Sequence, residues 1–117
     1  YVIQHTGSVN AVAFSYDGTK VITGSDDKTA KVTDLINKTE YVIRHAGFVN
    51  TVAFASDGKT VITWSDDKTA KVTDVIYGTE INLKHQDRVN AVAISKDGKK
   101  AYSGSSDKTV KILEIID

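Results

Sequence analysis

The sequence predicts an all-β fold made of three copies of one four-stranded antiparallel unit. The first observation is repetition. VITGSDDKTAKVTD, from Val21 to Asp34, returns as VITWSDDKTAKVTD from Val61 to Asp74 and, more changed, as AYSGSSDKTVKILE from Ala101 to Glu114. The offset is 40 residues each time, within the range of about 20 to 50 that marks solenoids, propellers and arrays. The second observation is alternation of apolar and polar residues in short runs, which suits strands. The third is turn chemistry recurring at the same offset, with no stretch that sustains a helical period.

Each unit supplies four runs. The first gives Tyr1–His5, Val9–Ser15, Lys20–Gly24 and Thr29–Leu35. The second gives Glu40–His45, Val49–Ala55, Thr60–Trp64 and Thr69–Val75. The third gives Glu80–His85, Val89–Ser95, Lys100–Gly104 and Thr109–Ile115. Val, Ile, Thr, Tyr and Phe dominate them, the side chains that fit a pleated surface. Asp17-Gly18, Asp57-Gly58 and Asp97-Gly98 predict hairpins, because glycine reaches φ > 0 without a steric penalty. Asp26-Asp27-Lys28, Asp66-Asp67-Lys68 and Ser106-Asp107-Lys108 make the next reversal, where an Asp side chain binds downstream backbone N–H groups. Asn37-Lys38 and Tyr77-Gly78 close the third hairpin. With no composition shift and no linker, the chain reads as a single domain of repeats at about 1–39, 40–79 and 80–117. Four-stranded antiparallel units at even spacing fit the blades of a β-propeller.

Composition narrows the function. The 117 residues hold 15 Lys and Arg against 15 Asp and Glu. That balance argues against nucleic acid, whose binders carry a basic excess, and against an anionic membrane surface. No apolar run is long enough for a transmembrane helix, so a soluble chain is expected, cytoplasmic if natural. Cysteine is absent, which removes disulfides and thiolate chemistry. Methionine and proline are absent too. The missing Met, at position 1 included, suggests a chain that is processed, excised from something longer, or engineered.

The run from His5 to Gly18, HTGSVNAVAFSYDG, followed by Gly24 to Thr29, GSDDKT, resembles the WD-repeat β-propeller family. The resemblance covers all three repeats. It departs in places: the family's Gly-His pair is Gln4-His5, Arg44-His45 and Lys84-His85, and its Trp-Asp pair is Thr33-Asp34, Thr73-Asp74 and Leu113-Glu114. The resemblance implies one hydrogen-bonded set per blade: His5, Thr23 and Asp27; His45, Thr63 and Asp67; His85, Ser103 and Asp107. The indole that completes the family's set is missing in every repeat. A Thr hydroxyl is a candidate replacement donor, though not for the indole's buried area.

In the family's register each repeat gives the outermost strand of one blade, then three inner strands of the next. Glu40–His45 then completes the first blade and Glu80–His85 the second. The third blade lacks an outer strand, and Tyr1–His5 is an outer strand without a blade. An unpaired edge is a liability, and three blades are fewer than the roughly four to eight of known propellers. The expected remedy is a cyclic homo-oligomer in which Tyr1, Val2, Ile3, Gln4 and His5 pair with Thr109, Val110, Lys111, Ile112 and Leu113 of a neighbouring copy. Two copies make six blades and three make nine. Thr or Leu at the outer Trp position thins the wedge between blades and favours the nine-bladed trimer over the six-bladed dimer. The other reading is three repeats cut from a longer chain.

No cofactor, metal site or catalytic centre is expected. The His sets recur in each repeat, as scaffold does, whereas a catalytic set appears once. Asp26-Asp27 and Asp66-Asp67 supply oxygen ligands of the kind calcium takes, but Lys28 and Lys68 offset their charge. The resemblance places partner contacts on one rim: Ser8, Asn10 and Asp26; Phe48, Asn50 and Asp66; Arg88, Asn90 and Ser106. The second repeat differs most, with Phe48 and with Trp64 where the others have Gly24 and Gly104. Aromatic side chains and Arg are the usual anchors of an interface, although Phe48 and Trp64 also suit packing within the blade. The expected function is a non-enzymatic scaffold that self-assembles and offers its rim to a protein or peptide. The alternatives are a designed or evolutionary-model propeller without a natural ligand and, more weakly, a hydrolase or glycan-binding propeller.

Overall fold

A computed structural model describes residues 1–95 and 99–114. Within them lie eleven strands and no helix: β1 Val9–Phe14, β2 Lys20–Ser25, β3 Thr29–Asp34, β4 Thr39–Arg44, β5 Val49–Phe54, β6 Thr60–Ser65, β7 Thr69–Asp74, β8 Thr79–Lys84, β9 Val89–Ile94, β10 Lys100–Ser105 and β11 Val110–Glu114. They form two four-stranded sheets, β1-β2-β3-β4 and β5-β6-β7-β8, and one three-stranded sheet, β9-β10-β11. All described pairings are antiparallel. The outer strands β4 and β8 come from the start of the following repeat, as the register requires. Strand ends differ from the sequence reading by about one residue, the usual uncertainty. Residues 1–5 join no strand within the chain, since every sheet edge they reach belongs to a blade that already has its outer strand. Asp97-Gly98 and Ile115 lie outside the described residues.

The sheets stack face to face. One face of the first sheet contributes Ile22, Ala30, Val32 and Ile43; the second sheet answers with Val49, Val52 and Val61. At the next interface Ile62, Ala70, Val72 and Leu83 meet Ala101, with Val92, Ile94 and Leu113 beside it. The second strand of each four-stranded sheet is buried on both faces, which explains its unbroken apolar run VIT. The outer strands bury Ile43 and Leu83, with Tyr41 packed beside Ile43 in β4, and are otherwise solvated.

Turns follow the residues that make them. Gly18 and Gly58 sit at φ 73° and 71°, each closing a turn by donating its N–H to the carbonyl of Ser15 or Ala55. The next reversals put Lys28, Lys68 and Lys108 at φ 72° to 73°. In the third hairpin Lys38 (φ 59°) stands where the second repeat has Gly78 (φ 75°). A left-handed non-glycine residue costs about 1–2 kcal/mol, offset in part by glycine's greater freedom when unfolded. Lys38→Gly should therefore stabilise the chain by about 0.5–1 kcal/mol, read as a higher urea midpoint. A lower midpoint would show that the Lys38 backbone is unstrained.

Candidate functional site

Three histidines sit in three matching hydrogen-bond sets. His5 Nδ1 lies 2.8 Å from Asp27 Oδ2, and Nε2 lies 2.8 Å from Thr23 Oγ1. His45 repeats this with Asp67 at 3.0 Å and Thr63 at 2.9 Å. His85 does so with Asp107 at 3.0 Å and Ser103 at 2.7 Å. All nine residues expected in these sets are thus brought together. The carboxylate does more than hold the imidazole. Asp27 Oδ2 also accepts the Thr6 N–H at 3.0 Å, and Oδ1 accepts the Thr29 N–H at 2.9 Å. Asp67 and Asp107 take the corresponding N–H groups of Ala46 and Thr69, and of Gln86 and Thr109.

The order hydroxyl, imidazole, carboxylate is that of a hydrolase, but the surroundings are not. Thr63 and Ser103 are fully buried, and the three imidazoles have no exposed side-chain surface. A nucleophile must reach its substrate, and the Thr63 and Ser103 hydroxyls lie within closed interfaces, while Thr23 is buried on the open face of the first sheet. Among the described residues no group of three or more His, Cys, Asp or Glu converges to hold a metal ion.

The position of the missing indole is equally informative. Thr33 and Thr73 occupy it in the first two sheets, fully buried, and their Oγ1 atoms have no hydrogen-bond partner among the described residues. The hydroxyl therefore does not take over the lost donor, contrary to the replacement considered from the sequence. The Thr23 and Thr63 side chains face His5 and His45 instead. In the third sheet Leu113 fills the place with apolar volume and packs against the second core cluster.

Several of the residues that the resemblance assigned to the rim are tied to one another. Asn10, Asn50 and Asn90 are the extra residues of β-bulges at the start of β1, β5 and β9, where the register skips one position. A bulge turns its side chain out of the ladder. Asn10 donates to Asp26 Oδ1 at 2.6 Å, Asn50 to Asp66 Oδ1 at 2.5 Å and Asn90 to Ser106 Oγ at 2.7 Å. Asn10 also donates to the Val49 carbonyl at 3.2 Å, linking the first sheet to the second. The bulge was not visible in the sequence, although the constant 16-residue spacing to the turn was. Ser8 and Phe48 hold their turns through carbonyls that accept the N–H groups of Asp26 and Asp66, and Arg88 does the same for Ser106. The Phe48 side chain is half-exposed. Trp64 is partly buried, packed into the interface between the second and third sheets, on the face of its sheet opposite Thr73 by strand alternation.

Electrostatics fixes the protonation of the sets. Burial opposes the charge on Asp27, but the Thr29 hydroxyl, the His5 ring and the N–H groups of Thr6 and Thr29 outweigh it and hold its pKa at about 2. Asp67 and Asp107 are also held below the usual carboxylate range. For His45, burial outweighs the attraction of Asp67, so its pKa lies below the ordinary 6.5.

Two outcomes are expected. The unfolded chain binds protons that the fold refuses, below pH 6.5 at His45 and between pH 3.8 and about 2 at Asp27. Both contributions are complete at pH 7, and stability falls as pH drops through each window. Urea midpoints measured from pH 7 to pH 2.5 should decline in both; a flat profile would contradict the assignment. Separately, Thr73→Val replaces an unpartnered buried hydroxyl with a methyl group and should stabilise by about 1 kcal/mol. Destabilisation would mean that the hydroxyl has a partner.

The family model for the WD domain, G-beta repeat, matches residues 1–34, 37–74 and 79–113. The comparison with curated proteins found no match. With three matches spanning nearly the whole chain, each containing one complete His, hydroxyl and Asp set, the chain belongs to the WD-repeat family.

Proposed function

We propose that this chain is a non-enzymatic interaction scaffold that assembles head-to-tail with copies of itself into a closed propeller and offers the rim of that ring to a protein or peptide. One observation carries the proposal: the stack of sheets has two open faces built like its closed interfaces. On the first sheet Val12 is 60% exposed, while Val52, 40 residues later, is 7% exposed within the first interface. On the third sheet Ile112 is 62% exposed, while Val32 at the matching place is 3% exposed. Phe14, Val110 and Val9 are likewise exposed, against the packed Phe54, Ala30 and Val49. Apolar surface of this extent on a soluble protein marks an interface. The two faces differ from each other, so copies join heterologously, and such a contact closes into a ring when the rotation divides a full turn.

Three copies, giving nine blades, suit the small residues at the outer position better than two copies giving six. The rim then carries three different side chains per copy, Ser8, Phe48 and Arg88, at equivalent places. Half-exposed Phe48 is its best anchor, while Asn10, Asn50 and Asn90 shape the rim through their bonds to Asp26, Asp66 and Ser106. The near-identity of the first two repeats supports a second reading, a designed or recently multiplied array without a natural ligand.

Light scattering decides the assembly. The mass should be three times the 12.7 kDa of one chain; twice that value would replace the trimer by a dimer, and a single-chain mass across accessible concentrations would refute self-assembly. For the rim, random peptides selected on the wild-type protein should bind Phe48→Ala at least about tenfold more weakly, as expected of an anchor. Unchanged binding would remove Phe48 from the contact, and no enrichment at all would favour the ligand-free reading.

A further inference from the structure

The third sheet has a bare face and a bare edge, and the first sheet shows what belongs on each. Gly24 is a glycine for a visible reason. A Cβ there would stand 2.7 Å from Val49 Cγ1 and 3.1 Å from Val52 Cγ1, across the first interface. Gly104 holds the matching place: it lies opposite Ala91 and Val110, as Gly24 lies opposite Ala11 and Ala30. Yet a Cβ on Gly104 would meet nothing within 4 Å, and its φ is not in the left-handed region. Nothing in its described surroundings requires glycine. The position also accepts the largest side chain, since Trp64 fills it in the second sheet and packs there. Val9 and Val12, the counterparts of Val49 and Val52 40 residues earlier, are both exposed.

The edge gives the same answer. β3 pairs with β4 through Ala30–Ile43, Lys31–Val42 and Val32–Tyr41. Val110, Lys111 and Ile112 hold the equivalent places on β11, whose outer side carries no strand. The triplet Tyr41-Val42-Ile43 recurs as Tyr1-Val2-Ile3, a segment outside any strand with Tyr1 and Val2 exposed.

We infer that Gly104 and the edge of β11 form one seat for a second copy of this chain, which inserts Val9 and Val12 over Gly104 and adds Tyr1–Gln4 as the missing strand with Ile3 opposite Val110. The inference rests on the self-assembly reading and names its contact residues. Main-chain pairing along β11 supplies affinity, and the glycine seat supplies register and close approach. The interface so formed is of the close kind, like that at Gly24, and not the kind spaced by Trp64.

The chain has no cysteine, so a cysteine pair reports cleanly. In the Val2→Cys, Lys111→Cys double variant, residues opposite each other on neighbouring strands come within disulfide range. Oxidation should yield covalent multimers on a non-reducing gel. Val2→Cys with Ile112→Cys, slipped by one residue onto the other face, should not. Gly104→Val should leave the circular dichroism of the chain unchanged while weakening assembly at least about tenfold in sedimentation, as a side chain forced into a close contact does. A multiple-chain mass with no register-specific cross-link, or with Gly104→Val assembling as the wild type does, overturns the seat and leaves self-assembly standing. A single-chain mass overturns both.

Discussion

One turn carboxylate per repeat ties together pieces of chain that the strands leave separate. Asp27 is bonded at once to the His5 ring, the Thr6 N–H, and the Thr29 N–H and hydroxyl. Those groups come from the segment entering the blade and from the strand after the turn. In the first repeat Lys31 adds a bond to the Gln4 carbonyl; in the second and third the entering segments are also held by the β3–β4 and β7–β8 ladders, and Lys71 and Lys111 donate to the carbonyls of Arg44 and Lys84. A charged acceptor with four donors is a strong arrangement, and it keeps the carboxylate ionised far below neutral pH. It also places the imidazole, and through it a hydroxyl in the middle of the second strand. The set is complete in all three repeats with Thr33, Thr73 or Leu113 at the position of the family's indole.

The faces of the sheets follow from this pinning. His5, His45 and His85 sit on the side of their own sheet that meets, or would meet, a preceding one. His45 and His85 lie at closed interfaces and are buried as whole residues. The His5 set lies on the open face of the first sheet, beside a cavity lined by Gln4, Lys31, Val42 and Arg44. Its side chain is covered, yet its surroundings are not. The first set thus lies at the face where another copy is proposed to join.

Much of this was legible in the sequence because one period carries it. The 40-residue repeat placed the observed strands within about one residue, and the family resemblance implied the three His sets and, through its register, the blade that lacks an outer strand. Trp64, expected among the rim residues or packed within the blade, instead lies two residues from Ile62 in β6, on the same face and in the same interface. Other features had no local signal. The bulges at Asn10, Asn50 and Asn90 depend on a register skip that alternation does not mark. Lysine at positive φ is not a turn residue by propensity, and only the exchange of Lys38 for Gly78 between repeats hints at it. The unpartnered hydroxyls of Thr33 and Thr73 were invisible for a different reason. Threonine suits a strand equally well with its hydroxyl bonded or not, and only the positions of neighbouring groups decide.

In the proposed ring, assembly and recognition would use separate parts of each unit. The contacts between sheets use the middles of strands, where near-identical apolar residues must serve every interface. The rim uses residues at bulges and turns, whose backbone is already held by Asp26, Asp66 and Ser106. Substitution at Ser8, Phe48 or Arg88 changes a side chain without disturbing the carbonyl that accepts the turn's N–H. Strand positions differ between the repeats as well, as at Val21, Val61 and Ala101 or at Thr33, Thr73 and Leu113. Trp64 lies in a strand and packs into the interface between the second and third sheets, where its equivalents, Gly24 and Gly104, bring no side chain to theirs.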